Sequence, residues 1–111
     1  MLKGAWYGTT ITKENELNRI SLLPLQTYRF LSVEPILEKI DLSNRPIKSA
    51  IPFSDWAIIG AETGNRKDKV IPKREWIESI VNCCHEHKIP IFLKSSLADI
   101  WGEPLIQEYP W

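Results

Sequence analysis

The chain has 111 residues, enough for one domain and too few for a second, so residues 1–111 are read as a single domain. With 43% hydrophobic and 25% charged residues the composition is that of an ordinary globular chain, which excludes a disordered one. Fourteen Lys+Arg offset fourteen Asp+Glu, so the net charge calls for neither nucleic acid nor a membrane surface nor an acidic substrate, and a charge near zero favours self-association.

Residues 5 to 12, Ala-Trp-Tyr-Gly-Thr-Thr-Ile-Thr, are rich in β-branched and aromatic types and predict a first strand. A helix is expected next, with Thr12 as its N-cap and Leu17, Ile20 and Leu23 along one side, ending at Pro24. Tyr28 to Glu34 predict a second strand, stopped by Pro35, and a short helical turn is expected from Leu37 to Ile40. Asp41 to Ser54, with Asn44, Pro46 and Pro52, is read as a long connection. The third strand, Asp55 to Ala61, is nearly continuous in apolar residues, as a strand covered on both faces is. A basic loop, Arg66 to Lys69, leads to Pro72, which opens the strongest helix, with Trp76, Ile77, Ile80, Val81 and Cys84 on one face and an end near Lys88. Ile89 to Lys94 predict a fourth strand, and Leu97 to Trp111 an irregular tail.

Alternating strands and helices imply an α/β fold, a (βα)-repeat half-barrel of about four parallel strands with helices mainly on one face. A closed eight-stranded barrel takes about 250 residues, so this chain is expected to hold about half of one and to leave one sheet face bare. Five Trp add to the apolar surface that needs cover. The missing cover is expected from a second copy, from another chain or from residues outside this sequence.

Ligands of parallel α/β folds bind at the carboxyl ends of the strands. Those ends bring Glu34, Glu62 and Lys94 into one candidate polar cluster, joined by Thr63, Gly64 and Arg66 of the loop after the third strand. An ionisable residue ending an apolar strand must be paired or face water. The cluster is therefore read either as a cofactor- or substrate-binding site or as a structural ion pair. Gly60-Ala-Glu62-Thr-Gly64 has the look of a phosphate-cradling loop, but no Lys-Ser/Thr pair follows and a carboxylate sits within it, so a turn with positive φ at Gly64 is the better reading.

Cys83 and Cys84 are neighbours and form no disulfide framework, which suits a reducing, cytoplasmic setting. No stretch reaches the roughly 20 apolar residues that span a bilayer, so a soluble, unexported protein is expected. Cys83 and His87 share a helix face, but two ligands are too few for a zinc site, and no metal is expected. Arg66, Lys67, Lys69, Lys73 and Arg74 form a basic run interleaved with Asp68 and Glu75, a solvated loop rather than a phosphate-binding surface. With two histidines close together near one helix end, no Ser-His-Asp or Cys-His set can be assembled, and the catalytic residues remain unassigned.

The segments Phe30-Leu-Ser-Val-Glu-Pro-Ile-Leu37, Asp55-Trp-Ala-Ile-Ile-Gly-Ala-Glu-Thr-Gly64 and Pro90-Ile-Phe-Leu-Lys94 resemble the C-terminal half of a phage-associated family of uncharacterised radical-SAM-like proteins. The resemblance extends from Trp6-Tyr-Gly-Thr-Thr10 to Leu105-Ile-Gln-Glu-Tyr-Pro110, with Ala61 standing where the family often has a second glycine. It implies a partial (β/α) barrel whose N-terminal half carries a three-cysteine motif for a [4Fe–4S] cluster and S-adenosylmethionine, and Glu34, Glu62 and Lys94 at the barrel mouth. Adjacent cysteines cannot replace that motif, so the chain alone is expected to bind no cofactor and to be inactive. Its expected partner is a second copy or a chain supplying the N-terminal half. The alternative is a standalone α/β module binding a small molecule or nucleic acid, with Glu62, Arg66 and Lys94 at its site.

Overall fold

A computed structural model describes residues 6–22, 28–42, 54–65 and 67–111. Four strands, β1 (Trp6–Ile11), β2 (Tyr28–Val33), β3 (Trp56–Ile59) and β4 (Ile91–Leu93), form one sheet in the order β1-β2-β3-β4, with every pairing parallel. This is the expected α/β architecture. Side chains alternate across the strands, so Leu31, Val33, Ala57, Ile59, Ile91 and Leu93 fall on one face and are fully buried. Helix α1 (Arg74–Glu86) closes that face with Ile77, Ile80, Val81 and Cys84, and Leu17, Ile20, Ile36, Ile40 and Leu97 complete the core.

The strands are shorter than expected, but their ladder runs on past their ends. Gly60 N–H donates to Val33 C=O at 3.0 Å, and Lys94 N–H to Ile59 C=O at 2.9 Å. These bonds fix the residues that follow the strands as firmly as the strands themselves.

Three local expectations are corrected. Glu14–Leu22 is a 3₁₀ helix that begins two residues beyond Thr12, whose hydroxyl donates to a side chain. Instead the Glu16 carboxylate accepts the Thr12 N–H at 2.7 Å, the Thr12 hydroxyl at 3.0 Å and the Lys13 N–H at 3.3 Å. Leu37 to Ile40 is not helical, because the N–H groups of Ile36 and Leu37 donate to Gly60 C=O and Thr12 C=O rather than along the chain. The tail is also more ordered than expected: it forms a 3₁₀ turn at Ser95–Leu97 and a short helix, α2 (Ala98–Trp101), then runs antiparallel beside β4. Leu93 N–H donates to Ile106 C=O at 2.8 Å and Glu108 N–H to Ile91 C=O at 2.9 Å, so the tail closes that edge of the sheet. The expected positions of Ala5, Leu23, Pro24 and residues 43–53 lie outside the described residues.

The second sheet face carries Trp6, Gly8, Tyr28, Phe30, Ser32, Trp56, Ile58 and Phe92, none of them buried. Its amino-end half is partly covered by the tail. Trp111 packs edge-on against Trp56 at 5.5 Å between ring centres and against Trp6 at 6.4 Å, and Tyr109 against Phe92 at 5.5 Å. The Trp56 indole N–H donates to Glu108 C=O at 2.9 Å. Cover is incomplete, since Tyr109 and Trp111 are themselves 52% and 72% exposed.

Gly8 is the floor on which the Phe30 ring lies, because a Cβ there would come within 2.1 Å of that ring. Gly8→Ala is expected to destabilise the fold by about 1–3 kcal/mol through overpacking. In combination with Phe30→Leu the loss should fall below the sum of the two single losses, which urea denaturation of the four proteins measures.

Hydrogen bonding from Thr12, chiefly from its N–H, together with Arg19, holds the Glu16 carboxyl below its ordinary 4.5. A lowered carboxyl pKa stabilises the fold above the unfolded-state value and ceases to do so as pH falls through the folded one. Glu16→Gln should therefore lower the melting temperature at neutral pH, with the difference shrinking below about pH 4.5.

Candidate functional site

At the carboxyl ends of the strands an open cleft of about 490 Å³ is lined by Glu34, Glu62, Thr63, Lys94, Ser95 and Ser96. Each lining residue directly follows a strand or begins the loop beyond it. Four of the six sequence candidates therefore meet in one place. Gly64 is not among the cleft's lining residues and makes the expected turn, with φ +90°. Arg66 lies outside the described residues.

The Lys94 ammonium donates to both Glu34 carboxylate oxygens, at 2.7 and 2.6 Å. The two residues directly follow β2 and β4, so the contact passes over the end of β3, where Gly60 sits between them. A Cβ on Gly60 would lie 2.8 Å from Glu34 Oε2, 3.1 Å from Cδ and 3.2 Å from Cγ. The ion pair thus depends on a missing side chain. Ile36 N–H donates to Gly60 C=O at 2.9 Å and fixes the chain leaving Glu34. The pair remains accessible, with side-chain exposures of 46% for Lys94 and 31% for Glu34.

Glu62 faces the same cleft but does different work. Its carboxylate accepts the Val70 N–H, which closes the loop between β3 and α1 on itself. Lys69 tightens that loop by donating to Gly64 C=O at 3.1 Å. The expected three-residue cluster resolves into an ion pair, Glu34–Lys94, and a neighbouring loop latch, Glu62.

Two serines were not among the sequence candidates. Ser96 Oγ accepts the Ala61 N–H at 3.0 Å and joins the end of β3 to the 3₁₀ turn, while Ser95 presents an exposed hydroxyl to the cleft. Their place immediately after Lys94, at the end of the fourth predicted strand, is the signal that points to them.

Among the described residues no three His, Cys, Asp or Glu side chains are grouped to hold a metal ion. Cys84 is buried in the core against the helix-covered sheet face, and that burial pushes its thiol well above the ordinary range. Cys83 lies on the last turns of α1 with His87 Nδ1 3.8 Å from its sulfur, away from the cleft. No described helix is long and apolar enough to cross a membrane.

Gly60→Ala should displace the Glu34 carboxylate and separate it from Lys94. Because the pair is exposed, the cost to stability is expected to be only about 0–1 kcal/mol, while the ¹³C resonance of the Glu34 carboxyl shifts. A stability loss above about 2 kcal/mol in urea would show that the glycine supports core packing rather than the ion pair.

No curated protein and no solved structure matches the chain. Residues 1–105 match a family described as protein of unknown function (DUF5131). That match spans all three strand-end segments that build the cleft, and the chain belongs to the DUF5131 family.

Proposed function

We propose that this chain is the C-terminal half of a radical-SAM-like (β/α) enzyme, inactive by itself and completed by βα units that it does not supply. The observation that carries the reading is the sheet: four parallel strands in sequential order, helices on one face, half-buried apolar side chains on the other, and a polar cleft at the carboxyl ends. The tail already occupies the outer edge of β4, so further strands have the β1 edge to join. The family resemblance of the strand-end segments supplies the chemical class.

The thiols of this chain do not fit a [4Fe–4S] cluster. Such a cluster needs spaced thiolates, whereas Cys84 is buried and held protonated beside Cys83 on one helix. The cluster and S-adenosylmethionine accordingly belong to the three-cysteine half in this proposal. The part of this chain is to bring Glu34, Lys94 and the neighbouring hydroxyls to the mouth of the completed barrel. Two free thiols suit a reducing, cytoplasmic compartment.

A second reading, a standalone α/β module that binds a small molecule or nucleic acid, is favoured by one observation. The tail covers part of the open face and one sheet edge without outside help.

Reconstitution separates the two. The chain alone and the chain mixed with a polypeptide carrying the three-cysteine half are each loaded with iron and sulfide without oxygen, then assayed for reductive cleavage of S-adenosylmethionine. Cleavage only in the mixture is expected. Cleavage by the chain alone overturns its proposed inactivity, and cleavage in neither removes the radical-SAM reading in favour of the binding module.

A further inference from the structure

We infer that the cleft takes a small zwitterion, a ligand carrying an ammonium and a carboxylate on one head group as an α-amino acid does. The inference concerns the cleft as this chain builds it, and goes beyond the proposed function, since it holds whether or not other units complete the sheet.

Hydrogen-bonding capacity defines what the cleft offers. Glu62 is committed to the Val70 N–H, and Ser96 Oγ to the Ala61 N–H. Glu34 and Lys94 are bonded to each other, which leaves donors on the ammonium and lone pairs on the carboxylate directed to solvent. The Thr63 and Ser95 side chains line the same cleft and are exposed. Among the described lining residues, ionic recognition therefore centres on the Glu34–Lys94 pair, with the Glu62 carboxylate and hydroxyls beside it.

Charge then selects among ligands. A simple anion drawn to Lys94 meets Glu34 less than 3 Å from the ammonium, with Glu62 on the same cleft. A phosphate group meets the same repulsion more strongly. A simple cation drawn to Glu34 faces the Lys94 ammonium. A zwitterion answers both members of the pair: its carboxylate meets Lys94, its ammonium meets Glu34, and one internal ion pair is replaced by two. The Glu34 side chain lies where a Cβ on Gly60 would be and touches Lys94, so the head group enters by parting that pair. The cleft, at about 490 Å³, has room for the rest of a small metabolite.

The test uses three probes that differ only in charge: L-norleucine, hexanoate, which lacks its ammonium, and 1-aminopentane, which lacks its carboxylate. Each is titrated into the ¹⁵N-labelled chain, and binding is read from amide shifts of residues 60–64 and 94–96. Norleucine is expected to bind about five- to tenfold more tightly than either singly charged probe. Lys94→Met should reverse the order in favour of 1-aminopentane, and Glu34→Gln in favour of hexanoate. Preserved amide spectra elsewhere show that these variants keep the fold. Equal binding of all three probes, no binding of norleucine, or an unchanged preference in both variants overturns the inference. None of those results touches the half-barrel reading, which the reconstitution tests separately.

Discussion

A parallel sheet whose strands are apolar on both sides must be covered on both sides, and the described residues fully cover only one. The helix-side face is dry, with Leu31, Val33, Ile59, Ile91 and Leu93 at 0% exposure. On the opposite face Phe30, Ile58 and Phe92 are only half-buried, and the cover comes from an aromatic tail that is itself largely in water. Aromatic pairs of this kind contribute about 0.5–1.5 kcal/mol each beyond the area they bury, enough to hold the tail down but not to complete the layer. The half-barrel proposal rests on this asymmetry.

The same alternation that divides the faces also sets the chemistry. Counting on from the strands, Glu34, Gly60 and Lys94 occupy equivalent positions on the open face, and the ladder extends far enough to fix all three. A glycine in the middle allows two charged side chains from non-adjacent strands to meet across it. The cleft is polar because the strands end there, and the Glu34–Lys94 pair within it is balanced because its two members differ in sign. Aromatic residues fill the amino end of the same face, so apolar cover and polar site lie at opposite ends of one surface.

Much of this was legible in the residues. Four strands follow from β-branched and aromatic runs, and the helix over Arg74–Glu86 from its apolar spacing, because those signals are local. The strand-end rule locates Glu34, Glu62 and Lys94 from the residues alone. What was not legible is long-range. Nothing local in Leu105 to Trp111 announces that Gln107 will lie opposite Phe92, and the N–H groups of Ile36 and Leu37 are drawn from a helical turn by carbonyls 24 and 25 residues away in sequence. Gly60 invites a phosphate-loop reading when seen with Gly64 alone, and its role becomes visible only once Glu34 lies across it. Glu62 was grouped with the ion pair because the sequence placed it correctly, but its carboxylate is drawn back to its own loop at Val70.

The central proposal is that the second sheet face requires cover that the described residues do not provide. Light scattering across a dilution series measures it most directly, as the solution mass of the purified chain against its own 12.9 kDa. A mass above that value at micromolar concentration, falling on dilution, is the predicted result, because an uncovered apolar face drives association when net charge is near zero. A monodisperse 12.9 kDa monomer across the whole series would contradict it and would mean that the tail is cover enough.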